Sequence, residues 1–463
     1  MGLTMLSAGS VGTSTKQSGV ERLTTPAIRL TRLEWTVCAI ACLGFAFDTY
    51  EFVVTSLIVR PALLALHQMP AGSAPFNRAA ALLFYVPLAA AGICGLLGGY
   101  LTDRFGRRRV LVWSILMYGA AAALSAYASS VIELLVWRSV VVTGAAVEFV
   151  AALAWLAELF PDARRRDSVL AYTQAGSAAG GFLLTGSYYL AVTYGHLLPP
   201  IHGVHEAWRY TLLFGLAPAL PLMLIRPLLP ESPVWQRQHA GRLLRRPSIG
   251  ALFAPALRET TVVAMLLTAC GYAAAYGAIQ QIPRIVPGLP QVRQLTVLAQ
   301  EQAVSAVHLF GDLGNVAGRV LFALIVVRIG GDRRLFRCVV IPALVVFPIV
   351  YFVASRSGVG ALKAGTFVAT ALVTAQLSFW GNYLPKMYPT HLRGTGESLA
   401  TNIGGRVLGT SAALATTALA SAMPGSPSIQ LAYAAGLIGT LVSLVAFIGS
   451  FSLPEAGQAQ LPD

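Results

Sequence analysis

Apolar stretches long enough to cross a lipid bilayer follow one another along nearly the whole chain. They lie near residues 35–60, 77–101, 108–128, 131–160, 168–194 and 207–229. A second set lies near 260–288, 302–328, 336–355, 360–385, 395–422 and 427–452. A helix needs about 20 apolar residues to cross the hydrocarbon core. Twelve spans therefore consume most of the 463 residues and leave short loops, with no room for an extramembrane catalytic domain. Composition excludes a soluble fold on its own: 11% of residues are charged, less than half the roughly 25% of an ordinary soluble domain. So few ionic groups cannot solvate such a surface.

The stretch 230–259 is polar, basic and broken by prolines. It divides the spans into two sets of six and predicts five regions: a tail (1–34), a six-helix bundle (35–229), a linker (230–259), a second six-helix bundle (260–452) and a tail (453–463). The net charge is +14, from 33 Lys+Arg against 19 Asp+Glu. With the termini inside, 23 of the 33 basic residues fall on the inner side. Six fall outside: Arg60, Arg78, Arg284, Arg293, Arg356 and Lys363. Arg138, Arg209, Arg319 and Arg406 sit within or at the ends of spans. By the positive-inside rule both termini are cytoplasmic, and the chain resides in a plasma (inner) membrane. The basic excess is thus a topology signal, not a nucleic-acid footprint. Residues 1–34 lack a signal-peptide pattern and read as a cytoplasmic tail. The five cysteines (Cys38, Cys42, Cys94, Cys270, Cys338) have no CxxC spacing and read as small buried apolar residues.

The halves resemble each other. LTDRFGRRRVL (101–111), after the second span, aligns with IVVRIGGDRRL (325–335), after the eighth, at an offset of 224. Arg104 then meets Arg328, and Gly106 meets Gly330. FPDARRRDSVLAYTQAG (160–176) aligns with YPTHLRGTGESLATNIG (388–404) at an offset of 228. Here Arg165 meets Arg393, and Gln174 meets Asn402. Each match falls at the corresponding span boundary. The predicted fold class is therefore an all-α membrane protein of 12 transmembrane helices in two pseudo-symmetric six-helix bundles. Paired repeats with a midplane site between them are the architecture of alternating-access carriers.

GGYLTDRFGRRR (98–109) resembles the signature loop of the major facilitator superfamily at Gly99, Asp103, Arg104, Gly106, Arg107 and Arg108. Its glycines allow close helix approach. Asp103 beside several arginines predicts a cytoplasmic latch between the halves; Val327 stands where the second copy would need its acid. LPESPVW (229–235), with Glu231, is similar to an element found after the sixth span of sugar porters and organic-ion carriers, although Val234 replaces the usual arginine. Arg138 with Gly144, Trp208-Arg209, Glu158-Leu159-Phe160-Pro161 with Arg164–Arg166, and Tyr388-Pro389-Thr390 with Arg393 fit the same group. The resemblance implies a secondary transporter of the metabolite:proton symporter and organic-anion-carrier side. It also implies gate roles for Arg138, Glu158, Arg165, Glu231, Arg328 and Arg393.

Charges inside the membrane are costly and mark function or pairing. Asp48 and Glu51 lie on one face of the first span, in FAFDTYEF. A carboxyl that titrates near neutrality is what proton coupling requires; the alternative is permanent pairing of these acids to an arginine. The DTYEF pattern, including Tyr50, resembles the first span of phosphate:proton symporters. Glu148 lies mid-span, ten residues after Arg138. That separation is about 15 Å along a helix, so the two cannot pair directly. Glu148 reads either as a proton or substrate group or as a buried hydrogen-bonded acid. Asp312 serves the same end in the second half, or forms a salt bridge with Arg319 near Asn315.

Arg406 lies about 20 Å into the eleventh span, thirteen residues past Arg393. RGTGESLATNIGGRVLG resembles the eleventh span of organic anion carriers, whose arginine at this place faces the central cavity. A guanidinium there offers bidentate bonds to a carboxylate or phosphate. The alternative is an ion pair to Asp48, Glu51 or Asp312. Gln174, Tyr272, Tyr276, Gln280, Gln376, Trp380 and Asn402 are the candidate polar and aromatic pocket residues. His196, His202 and His205 read as a solvated loop rather than a metal site. No P-loop, GxSxG, HExxH or GxGxxG occurs, so ATP-driven transport and common enzymatic chemistry have no support.

The expectation is a proton-coupled symporter of a small organic anion, with Asp48, Glu51, Glu148 and Asp312 as coupling acids and Arg406 as the anion site. Phosphate symport, then sugar or polyol uptake or drug efflux, are alternatives within the class; a non-transporting receptor is the alternative outside it. The partners expected are the substrate, H⁺ and the bilayer, with no cofactor, metal or nucleic acid, and a monomer as the working unit.

Overall fold

The computed structural model describes residues 31–67, 70–160, 169, 173, 176–233, 235–237, 249–326, 328–329, 331–389 and 392–455. Among the described residues, ten helical runs are long and apolar enough to cross a membrane. Two more segments complete the series. Ala179–Tyr194 is the described part of the fifth span. The eleventh, Arg393–Ala420, is more polar and changes helix type along its length.

The helix ends are written into the sequence. Thr31 and Glu34 form a capping box at the start of the first span, with Thr31 N–H donating to Glu34 Oε2 at 2.7 Å and Glu34 N–H donating to Thr31 Oγ1 at 3.2 Å. Ser73 and Ser130 cap the second and fourth spans, Ala74–Phe105 and Val131–Leu159. Gly106, at φ +92°, ends the second span and starts the third at Arg107, so the signature loop is a single tight corner. Its counterpart before the ninth span is Gly331, at φ +86°. The sequence alignment had placed Gly330 there, which lies outside the described residues. The first span is interrupted at Val54 between Arg32–Val53 and Thr55–His67. The seventh is interrupted at Ala278–Gln281. The polar linker is not wholly extended: Ile249–Phe253 forms a short 3-10 turn, and its Leu252 carbonyl accepts the Thr261 hydroxyl at 2.9 Å.

The first six spans pack mainly on one another, as do the last six, and the two sets meet along two seams. The second span lies against the eleventh, and the fifth against the eighth. Small residues set the first seam. A Cβ added to Gly92 would come within 2.7 Å of the Asn402 carbonyl, so only glycine lets the two backbones approach this closely. Large apolar side chains such as Trp113, Ile132 and Leu224 point outward, as a lipid-facing surface requires. Cys338 is also exposed there, whereas Cys38 and Cys270 are buried as expected.

Side chains tie the halves together on the side opposite Thr31 and Glu455. Arg60 of the first span pairs with Glu301 of the eighth at 2.5 Å, and Tyr188 of the fifth donates to the same carboxylate at 2.5 Å. Arg284 of the seventh donates to Asn77 Oδ1 of the second at 3.0 Å. These contacts join the two halves on this side.

Candidate functional site

Four spans converge on Asp48, and their side chains form one network. Tyr118, from the third span, donates to Glu148 of the fourth and lies 3.3 Å from Asp48 Oδ1. Arg226, at the end of the sixth span, completes the cluster through an ion pair with the other Glu148 oxygen. Asp48 and Glu148 are both buried. Among the described residues Asp48 Oδ2 has no hydrogen-bond partner, whereas both Glu148 oxygens are engaged. Arg226 is one of the 23 basic residues that the topology count assigns to the inner side. The structure places it in the protein interior, and its setting in PLMLIRPLLP, an apolar run, was the available signal.

Glu51 belongs to a separate pair. Arg138 donates through Nη1 to Glu51 Oε2 and through Nη2 to the Glu51 backbone carbonyl, both at 2.5 Å. Both side chains are almost fully excluded from solvent, at 1% and 0% exposure. The two acids of the DTYEF motif thus face different partners: Glu51 holds an arginine, and Asp48 holds a tyrosine hydroxyl. Arg138 and Glu148, too far apart to pair with each other, each find a counter-charge on another span. Tyr50 turns its hydroxyl to the Thr211 carbonyl at 2.6 Å and to Ser187 at 2.7 Å, which anchors the first span to the fifth and sixth.

Arg406 lies in a widened, π-helical stretch, Leu399–Leu408. Wide turns of this kind recur at functional sites because they re-aim side chains. The guanidinium donates to Asn402 Oδ1 and sits over the Phe52 ring at 5.0 Å. Asn402 in turn donates to Ser398 Oγ at 3.0 Å. Among the described residues Arg406 has no carboxylate partner, so none of the three acids considered from sequence neutralises it. It remains within electrostatic reach of Asp48. Tyr272 and Tyr276 stack at 6.3 Å beside it, with Tyr272 packed against Gly405.

A cavity of about 80 Å³ lies between the halves. Its polar lining includes Thr49, Gln280, His308, Asp312, Asn315 and Thr370. Asp312 accepts the Thr185 hydroxyl at 2.5 Å, and His308 Nδ1 lies 2.8 Å from the same hydroxyl and 3.5 Å from Asp312 Oδ2. The partners of Asp312 are therefore on the fifth span and one turn back on its own. Arg319, the partner considered from sequence, donates to Asn315 Oδ1 at 3.2 Å. His308 escaped sequence reading, although it stands four residues before Asp312 on the same helical face.

The remaining candidates divide. Gln376 is buried with its Nε2 unpartnered. Trp380 is packed among Phe336, Phe379 and Tyr383, an aromatic cluster within the second half. Gln174 and Arg165 lie outside the described residues, as do the side chains of Asp103 and Arg393. Gly99 is helical within the second span. Arg104 and Arg328 are exposed, with Arg104 donating to Tyr100 at 2.8 Å. Arg107 pairs with Glu158 at 2.8 Å. Glu231 accepts the backbone N–H groups of Arg107 and Arg108 at 3.0 and 3.2 Å. These ties bind the third span to the fourth and to the segment after the sixth; the latch expected between the halves at Asp103 falls on a side chain outside the described residues. The loop histidines are similarly local: His202 reaches the Tyr127 carbonyl, and His205 reaches Tyr210.

Comparison with known proteins agrees with this architecture. Residues 36–413 match the sequence profile of the Major Facilitator Superfamily. The sialic acid transporter NanX of Escherichia coli (strain K12) is 23% identical over 364 residues, covering 79% of this chain and 82% of its own. A probable 4-methylmuconolactone transporter of Cupriavidus pinatubonensis (strain JMP 134 / LMG 1197) is 25% identical over 420 residues, covering 89% and 88%. The crystal structure of a D-xylose-proton symporter superposes with a TM-score of 0.73 at 17% identity, covering 92% of this chain and 99% of that one. A profile match across most of the length, on a fold shared with a proton symporter, leads to one assignment: the chain belongs to the Major Facilitator Superfamily, as an integral-membrane secondary transporter, not an enzyme, related to metabolite:proton symporters and sugar porters.

Proposed function

We propose that this chain is a proton-coupled symporter of a small organic anion, a carboxylate, with both termini cytoplasmic and the 230–259 segment joining two six-helix bundles. The observation that carries the reading is the contrast among buried arginines. Arg138 and Arg226 each hold a carboxylate, whereas Arg406, 7% exposed at the seam of the second and eleventh spans, holds an amide and a ring. A buried guanidinium with no internal counter-charge is suited to a counter-charge brought by the substrate. Two of the relatives are transporters of an acid and of a muconolactone by name, which supports the same class.

Asp48 is our candidate for the coupling proton. It is the member of the buried cluster that lacks an arginine of its own, since Glu148 takes Arg226. When protonated, Asp48 leaves Arg406 free for the anion and adds no charge to a closed cavity. When deprotonated, it competes electrostatically for the same cation and favours release. Glu51 and Arg138 act in this scheme as a permanent pair that holds the first and fourth spans together.

A second reading, a neutral polyol or sugar, is favoured by the cavity lining of Gln280, Asn315, Thr366 and Thr370, which carries hydrogen-bonding groups and no lysine or arginine. Counterflow in proteoliposomes separates the two. The anion reading expects labelled carboxylates to exchange, with uptake driven by an inward proton gradient. Exchange of neutral sugars with no competition by any carboxylate overturns it.

A further inference from the structure

Arg284 is another buried arginine that pairs with no carboxylate among the described residues. It stands near the end of the seventh span, on the side opposite Thr31, and is 6% exposed. Its donors meet neutral acceptors, Gln281 Oε1 at 2.8 Å and Asn77 Oδ1 at 3.0 Å, while Nε has no acceptor at all. The guanidinium lies 5.7 Å from the centre of the Phe76 ring. These contacts orient the group without balancing its charge.

The same side chain lines a cleft of about 230 Å³, together with Arg60 and Arg293. No carboxylate lines this cleft. Arg60 is balanced by Glu301 at 2.5 Å, which leaves Arg284 and the exposed Arg293 as two cations in one concavity with no carboxylate partner among the described residues. The walls come from both halves: Asn77 from the second span, Arg284 from the seventh and Ser428 from the twelfth. A concave site lined by two guanidinium groups that no carboxylate balances matches a planar oxyanion.

We propose that this cleft is a vestibular anion site, distinct from Arg406, which receives a carboxylate on the side of the transporter opposite Thr31. The ligand's oxygens are held between the Arg284 and Arg293 guanidinium groups. Because the walls belong to both halves, an anion bound there bridges them and favours the conformation closed on this side. The site does not depend on which substrate Arg406 takes, so the two can fail separately.

The test uses the purified full chain and sodium malonate as probe, with sodium chloride at matched ionic strength as the comparison. Malonate is expected to raise the unfolding midpoint saturably, and chloride is not. Arg293→Gln, on an exposed loop where folding is not at stake, is expected to raise the half-saturating malonate concentration about tenfold, as loss of one charge-assisted hydrogen bond requires. Arg284→Lys, which keeps the charge but loses the planar fork, is expected to weaken binding in the same direction. Arg406→Gln is expected to leave the vestibular step in place. The proposal is overturned by the absence of a saturable malonate step. It is equally overturned by a step that survives both vestibular variants and disappears in Arg406→Gln. An equal response to chloride overturns the carboxylate assignment.

Discussion

Glu231 and Glu455 stand 224 residues apart and do the same thing at equivalent corners of the two halves. Glu231 accepts the backbone N–H groups of Arg107 and Arg108, which open the third span. Glu455 accepts those of Asp332 and Arg333, which open the ninth, at 2.8 and 3.3 Å. The likeness extends to the neighbouring residues, because each glutamate closes a Leu-Pro-Glu triplet. The Leu229 carbonyl accepts from Arg108 at 3.4 Å, and the Leu453 carbonyl accepts from Arg333 at 2.5 Å. The Pro230 carbonyl takes the Trp155 indole at 3.1 Å, and the Pro454 carbonyl takes the Tyr383 hydroxyl at 2.7 Å. A carboxylate at a helix N-terminus satisfies orphan donors and complements the helix dipole.

This predicts unequal stability losses for the two corners. Glu231→Ala is expected to lower unfolding stability by about 1–2 kcal/mol, the worth of a capping carboxylate. Glu455→Ala is expected to cost less, because that side chain is 43% exposed and its ion pair with Arg333 is long, at 4.0 Å. Thermal unfolding of the purified variants in one detergent measures both. A larger loss at Glu455 would contradict the assignment of the stronger cap to the first half.

The two acids of the first span are expected to behave differently when neutralised. Asp48→Asn removes a carboxylate that has no ion-pair partner, so the protein should fold, keep exchange and lose gradient-driven accumulation. Glu51→Gln leaves Arg138 buried without its counter-charge, a defect that typically costs about 3–5 kcal/mol, so its first effect should be on folding. Monodispersity and proteoliposome uptake, read together, decide this. Wild-type accumulation by Asp48→Asn would move the coupling role to Glu148 or Asp312.

Arg406 carries the substrate class. Arg406→Gln is expected to reduce affinity for a carboxylate about tenfold to a hundredfold, as loss of a desolvated charged hydrogen bond implies. Arg406→Lys keeps the charge but not the planar fork, and should impair a carboxylate more than a compact phosphate. Since no internal acid relies on Arg406 for pairing, both variants should remain folded. Equilibrium binding of a counterflow-active anion is the measurement, and unchanged affinity in Arg406→Gln would refute an anionic substrate at this site.

The Arg60–Glu301 pair is expected to hold the side opposite Thr31 closed. Glu301→Gln weakens the bond to Arg60 and to Tyr188 together. It should therefore increase labelling of a cysteine placed at Ser56, which lies beneath the pair, by an impermeant thiol reagent. The native cysteines are replaced first, because Cys338 is exposed. Unchanged labelling would show that this pair does not govern access.

What the sequence revealed was mostly local or periodic. Span-length apolarity, the basic asymmetry of the loops and the 224-residue repeat each read directly from neighbouring residues. The Leu-Pro-Glu triplets recur at that same offset, but a three-residue match is too short to stand out from sequence alone. Pairing was far less legible. Glu148 meets Arg226 across 78 positions, and Glu51 meets Arg138 across 87, so only packing decides which cation each acid takes. Arg226 was read as a loop charge because prolines and leucines around it blur the membrane boundary. Sequence pattern likewise grouped Trp380 with the pocket, since aromatic residues line cavities and fill cores alike; its three ring neighbours settle the local packing.

The wide helical turn at Leu399–Leu408 changes what sets the aim of Arg406. An α-helix advances about 100° per residue, and a π turn holds one residue more than an α turn. The azimuth of the guanidinium thus depends on where along the span the surplus residue is stored. Sliding that surplus past position 406 would swing the cation by about 100° around its own axis, with both ends of the span left in place. The phase of one helix is therefore a degree of freedom separate from the relative tilt of the two halves.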